Sequence, residues 1–236
     1  MNGRRRALAL VLALGVGGCV PIGKDFVRPD DSSLKLGKST FGEVRERYGA
    51  PRTEKSWART DAELAAEVGA PFGVARVSGV MRELDYYHED RMGKPAAQGV
   101  QPSKSARFWF FEDHLVGYLS HSSFLADSSG FDESRISSIV PWQTLRAQVV
   151  ATLGAPAGVR VYPMVRQRGH ELLTYFSFEF DRASNQTRMK RLHVLVNALG
   201  VVEDTRFESS AKPIPPPPAP AMVPIPIYIP PPRTIK

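Results

Sequence analysis

The chain has 236 residues, 42% of them apolar and 23% charged, which is enough for one large or two small domains with buried cores. Its net charge is +7, but Arg4, Arg5 and Arg6 supply three of those charges, and the mild basic bias that remains favours anionic surfaces and is too diffuse for a nucleic-acid interface. A single cysteine, Cys19, excludes an intrachain disulfide, and the histidines at 88, 114, 121, 170 and 193 lack HxH or HExxH spacing, so no metal and no cofactor is expected.

Residues 1–18 have a signal-peptide layout: a basic start, an apolar run from Ala7 to Val16, then Gly17 and Gly18 ahead of Cys19. A transmembrane reading is poor, because Gly15, Gly17, Gly18 and Pro21 interrupt a stretch near the ~17-residue lower limit for a span. Residues 19–33, with Pro21, Gly23, Pro29, Asp30 and Asp31, read as a tether.

Gly37 to Pro51 reads as a capped helix. Thr40 and Glu43 fit a capping box, and Phe41, Val44 and Tyr48 share one helical face. Gly49 and Pro51 supply the stop. Gly37-Lys38-Ser39 imitates the end of a phosphate loop, but Ser32 stands where that motif needs glycine. Thr60 and Glu63 open a second capping-box match, continued by Leu64, Ala65 and Val68.

Leu84 to Tyr87 reads as a strand, and residues 88–105 as a long hairpin loop. Arg107 to Phe111 is a strongly aromatic strand whose two faces both need cover, with Leu115 to Ser120 as its return. Ser120-His121-Ser122 is the only Ser/His adjacency, and neighbouring strand residues point to opposite faces. No catalytic set emerges, and the chain reads as a non-enzymatic binding protein.

Residues 123–138 are polar and read as a linker. Leu145, Val149 and Leu153 then mark another helical face, and Gly154-Ala155-Pro156 repeats Gly49-Ala50-Pro51 at an offset of 105. Thr144 is the candidate cap, one residue further from its glycine than Thr40 is from Gly49. Leu172–Phe180, Arg191–Val196 and Val201–Phe207 read as a meander. From Pro213 onward, eleven prolines describe a polyproline II tail, either a disordered spacer or a docking peptide.

The expected fold class is therefore α+β: two tandem small modules, residues 34–122 and 139–208. Each is expected to be a helix or helix pair packed on a three-stranded antiparallel sheet.

Two resemblances add to this. The Gly17-Gly18-Cys19 site resembles a bacterial lipoprotein signal, which implies lipidation of Cys19. Val20 in place of aspartate implies sorting to the outer membrane, facing the periplasm. Gly37, Thr40, Val44, Tyr48, Gly49 and Pro51, echoed by Thr144, Val149, Leu153, Gly154 and Pro156, resemble the signature of the SmpA/OmlA (BamE-like) family of outer-membrane lipoproteins. That resemblance implies a protein-binding or scaffolding role in envelope assembly and integrity, with the membrane and envelope proteins, including the β-barrel assembly machinery, as partners. The tandem arrangement is similar to β-lactamase-inhibitor proteins, which implies the alternative of a periplasmic clasp on a soluble protein or peptide.

Overall fold

Helix α1 spans Phe41–Tyr48 and begins as its sequence dictates. The Thr40 hydroxyl accepts from Glu43 N, and Glu43 Oε2 accepts from Thr40 N at 2.8 Å. Phe41, Val44 and Tyr48 face inward, and Gly49, at φ 83°, ends the helix in a conformation that favours glycine. Helix α2 spans Arg146–Leu153, buries Val149 and Leu153, and stops at Gly154, also at φ 83°. These elements belong to a computed structural model that describes residues 21–30, 33–58, 71–97, 100–181 and 186–213.

Eight strands follow one another in the sheet in chain order, every neighbour antiparallel. They are β1 (Thr53–Ala58), β2 (Val80–Glu89), β3 (Ser103–Phe111), β4 (His114–Ser122), β5 (Gly158–Val161), β6 (Glu171–Asp181), β7 (Gln186–Val196) and β8 (Val202–Pro213). A 3₁₀ turn at Glu133–Ser138 precedes α2.

This corrects the expected fold class. The chain does not form two modules, each a helix or helix pair on a three-stranded sheet. It forms one continuous eight-stranded sheet with one described helix beside each group of four strands. The join is β4 to β5, with Gly117 opposite Arg160, Tyr118 opposite Val159 and Leu119 opposite Gly158. Gly158 permits that approach, because a Cβ there would lie 2.3 Å from the Tyr118 carbonyl oxygen. A single apolar core also runs across the join, from Val44, Tyr48, Phe108 and Phe110 through Tyr118 and Val159 to Leu173, Val149 and Val194.

The offset of 105 is visible in matching hydrogen bonds around the two helices. Gly37 N donates to Leu115 O and Leu115 N to Ser39 O; Trp142 N donates to Val202 O and Val202 N to Thr144 O. Lys35 N donates to Ser39 Oγ as Val140 N donates to Thr144 Oγ1. Tyr86 and Tyr175 each donate a hydroxyl at 3.1 Å, to Gly49 O and to Gly154 O. Thr144 therefore matches Ser39 and is not the cap. Leu145 occupies the cap position, and only the return bond survives there, from Leu145 N to Gln148 Oε1 at 2.7 Å.

Residues 21–30, part of the expected tether, form a strap across the helix side. Ile22 pairs with Glu89, and Phe26 is buried edge-on against Tyr48 and Tyr86. Arg28 donates to Ser120 Oγ on β4 and to Pro156 O beyond α2. The strap therefore fastens the second half to the first. Within the expected linker 123–138, Ser129 is buried and bonded to β4. The signal peptide, Cys19, the capping box at Thr60 and the tail beyond Pro213 lie outside the described residues.

Candidate protein-binding face

Period-two alternation gives the sheet two unlike surfaces. Leu84, Tyr86, Phe108, Phe110, Leu173, Tyr175, Leu192 and Val194 point to the helix side and form its core. The intervening residues point to the opposite, open side. There the cross-strand register sets Lys55, Glu83, Trp109, Gly117, Arg160, Leu172 and Leu195 in one row. Asp85, Arg107, Leu119, Gly158, Thr174, His193 and Arg206 form the next.

Part of this open side is roofed. Met81, Trp109, Val116 and Met164 form a second small core, packed against Trp57, Val74 and Phe111. Ala75 N donates to Pro163 O, which ties the segment before β2 to the β5–β6 connection. Cover on both faces is what the aromatic β3 requires: Phe108 and Phe110 are buried on one side and Trp109 on the other.

Beneath the roof, the buried Glu83 carboxylate collects three partners. Trp109 Nε1 donates to it at 2.9 Å, and Lys55 and Arg107 approach at 3.5 and 3.7 Å. Arg107 also reaches Asp85 at 3.6 Å. Arg160, 4% exposed, stacks its guanidinium over the Trp109 ring at 5.1 Å. Burial, with Arg191 and Arg107 nearby, lowers its pKa to about 10. His193 sits 3.2 Å from the Thr174 hydroxyl. Burial and the neighbouring Arg160, Arg191 and Arg206 push its pKa down to about 3, so its imidazole is neutral at physiological pH.

Between β4 and β8 the open side is less covered. Arg191 lies 5.4 Å over the half-buried Phe176 ring, Phe178 is 43% exposed, and Arg206 is exposed beside Glu208. His121 meets Phe176 and Phe178 edge-on and bonds to Ser129 Oγ at 2.9 Å. Burial, and to a lesser degree Arg28, lower its pKa to about 4. The His121–Ser129 distance is one that a base and a nucleophile would share. Ser129, however, is buried and also bonded to the Ser122 backbone, and Asp127 binds Ser122 in place of the histidine. The arrangement is a lock between β4 and the following loop.

No family model, curated protein or solved structure matches this chain. Among the described residues no group of three or more His, Cys, Asp or Glu side chains is placed to hold a metal ion.

The signature residues all serve the helix side. Thr40, Val44, Tyr48, Gly49, Val149, Leu153 and Gly154 build, cap or stop the helices, Gly37 and Thr144 tie the turns before them to Leu115 and Val202, Pro51 leads from α1 into β1, and the Pro156 carbonyl receives Arg28. None of them reaches the open face. Sequence reading missed Glu83, Arg107, Arg160, Thr174 and His193, although each lies at the alternate strand position to a core residue. It also missed Trp142, which is 65% exposed and held at φ 64° where the first half has Gly37. With Phe72, Val165, Leu195 and the His170–Glu203 pair, Trp142 lines a cleft of about 370 Å³ at the margin of the roof.

Proposed function

We propose that this is a lipid-anchored protein of the outer membrane that binds a protein partner through the open face of its sheet, acting in envelope assembly and integrity without catalysing a reaction. The observation that carries the reading is the uncovered part of that face, where Phe176, Phe178, Arg191 and Arg206 stand together. Aromatic and arginine side chains are the groups most enriched among residues that dominate protein interfaces. Their geometry provides stacking area and forked hydrogen-bond donors. The lipoprotein-like Cys19 site and the resemblance to SmpA/OmlA lipoproteins support the envelope setting.

Site-specific photocrosslinking in cells tests the face. A probe replacing Phe178 or Arg206 is expected to trap one defined adduct, and a probe at the exposed Glu46 of α1 to trap none. Equal trapping at Glu46 would sink the assignment. The identity of the adduct separates an integral envelope protein from a soluble periplasmic one, which is the clasp alternative.

A further inference from the structure

We propose that the end of the sheet formed by the β2–β3 connection rests directly on the bilayer, so that the lipid anchor fixes the orientation of the whole body. This rests on lipidation of Cys19. The strap is fastened to the fold from its first described residues: Ile22 and Glu89 exchange both backbone hydrogen bonds at 2.9 Å, and the Gly23 carbonyl oxygen lies 3.2 Å from His88 Nδ1. Asp25 meets Lys104 at 2.7 Å, Phe26 is buried, and Arg28 is bonded as described. Cys19 and Ile22 are three Cα-to-Cα steps apart, and a fully extended chain of that length reaches no more than about 11 Å. The headgroup layer is itself roughly 5–8 Å deep on each side of the hydrocarbon. Acyl chains on Cys19 therefore bring the Ile22–Glu89 pair to the membrane surface.

The side chains at that end suit such a surface. Ile22, Met92 and Leu125 are exposed by 52%, 78% and 63%, and Leu125 N donates to Lys94 O, two residues along the chain from Met92. Lys94 and Arg91 are exposed on the same connection and match phosphate headgroups, Arg91 beside its contact with Glu89. Among the described side chains at that end, Glu89 is engaged by the Tyr87 hydroxyl and Arg91, Asp90 by Met92 N, and Asp25 and Asp127 by Lys104. Antiparallel order puts the β7–β8 turn, with Leu199 86% exposed, at the opposite end of the sheet, about 30 Å away along the strands.

The test uses full-length protein purified with its anchor and reconstituted in phosphatidylethanolamine and phosphatidylglycerol vesicles. Met92→Cys, Leu125→Cys and Leu199→Cys each add one free thiol for a nitroxide, the Cys19 thiol being occupied by lipid. Collision with oxygen, which partitions into lipid, is compared with collision with a water-soluble nickel chelate. The labels at 92 and 125 should show an oxygen-to-nickel ratio several-fold above the label at 199. If intact mass shows acylated Cys19 but the three ratios agree, the orientation is wrong and the anchor stands. If the acyl mass is missing, both fall.

Discussion

Glu83, Asp85, Arg107 and Trp109 in the first half of the sheet are matched, position for position, by Leu172, Thr174, His193 and Leu195 in the second. The matching follows from the register around the paired tyrosines Tyr86 and Tyr175. On the helix side the two halves keep the same chemistry: Leu84 with Leu173, Phe108 with Val194, Leu115 with Val202, all buried. On the open side these four positions form a network of charges around Glu83 in one half and carry only neutral side chains in the other. The helix side therefore carries the architecture common to both halves, and the open side is where they differ.

The largest expected effect comes from writing the second half's residue into the first. Glu83→Leu would remove the acceptor from Trp109 Nε1 and leave Arg107 and Lys55 without their buried partner. Lys55 and Arg107 are half-exposed and can be resolvated, and Arg107 keeps Asp85, so the main loss is the buried Trp109 donor left unpaired, which typically costs about 1–3 kcal/mol. Chemical denaturation should show a loss of that order, and a loss below about 1 kcal/mol would mean that the network contributes little to stability.

The two histidines of the open side, one in each half, make the opposite kind of prediction, in acid. His193 and His121 have pKa values near 3 and 4 in the folded chain against an ordinary 6.5. Between those values the unfolded chain binds more protons than the folded one. Stability is then independent of these groups above about pH 6.5 and falls as pH is lowered toward 4, by up to about 1.4 kcal/mol per pH unit for each histidine. His193→Gln should flatten the decline between pH 6.5 and 4. An unchanged slope would show that His193 is not buried in its neutral form.

These contrasts explain what could be read from the sequence. Helix α1 and the strands at Leu84–Tyr87, Arg107–Phe111 and Arg191–Val196 announce themselves through caps and apolar patterns, because those signals are local. The continuous sheet does not. It depends on β5, four residues long, and on Gly158, whose importance comes from the Tyr118 carbonyl 40 positions earlier. Strand β1, Thr53-Glu54-Lys55-Ser56-Trp57-Ala58, is mostly exposed and carries little apolar signal. The sequence points to a cap one residue early in the second helix, because Leu145 stands where the first copy has Thr40 and Thr144 offers a hydroxyl just before it. The open-face residues were illegible for a related reason: Glu83 and His193 look like solvated strand positions until the roof over them is known.

Trp142 and Gly37 offer a smaller and sharper contrast. Both backbones are left-handed, at φ 64° and 74°, but only one residue is glycine. A bulky side chain there carries strain of about 1 kcal/mol or more, and Trp142 recovers little by burial because it is 65% exposed. Trp142→Gly should therefore raise stability by about 1 kcal/mol. If the cleft with Phe72 and Leu195 takes part in partner binding, the same change should weaken the crosslink at Phe178. A variant that is more stable and binds equally well would show that the strain serves no recognition.

The helix caps give the smallest difference. Thr40 completes a capping box, whereas Leu145 has no oxygen to accept the free N–H groups at the start of α2. Thr40→Ala should cost about 1 kcal/mol, and Leu145→Thr should gain about 0.5–1 kcal/mol if its hydroxyl reaches Gln148 N as Thr40 reaches Glu43 N. Leu145 also forms an isolated bridge with Val201, and its side chain is 47% exposed, so little packing is lost in the exchange. Hydrogen exchange at the first turn of each helix reads the outcome locally. Protection should fall in α1 for the first variant and rise in α2 for the second. A rise confined to α2, with global stability unchanged, would mean that the helix opens independently of the sheet. A rise in both would mean that the shared core couples helix and sheet into one cooperative unit.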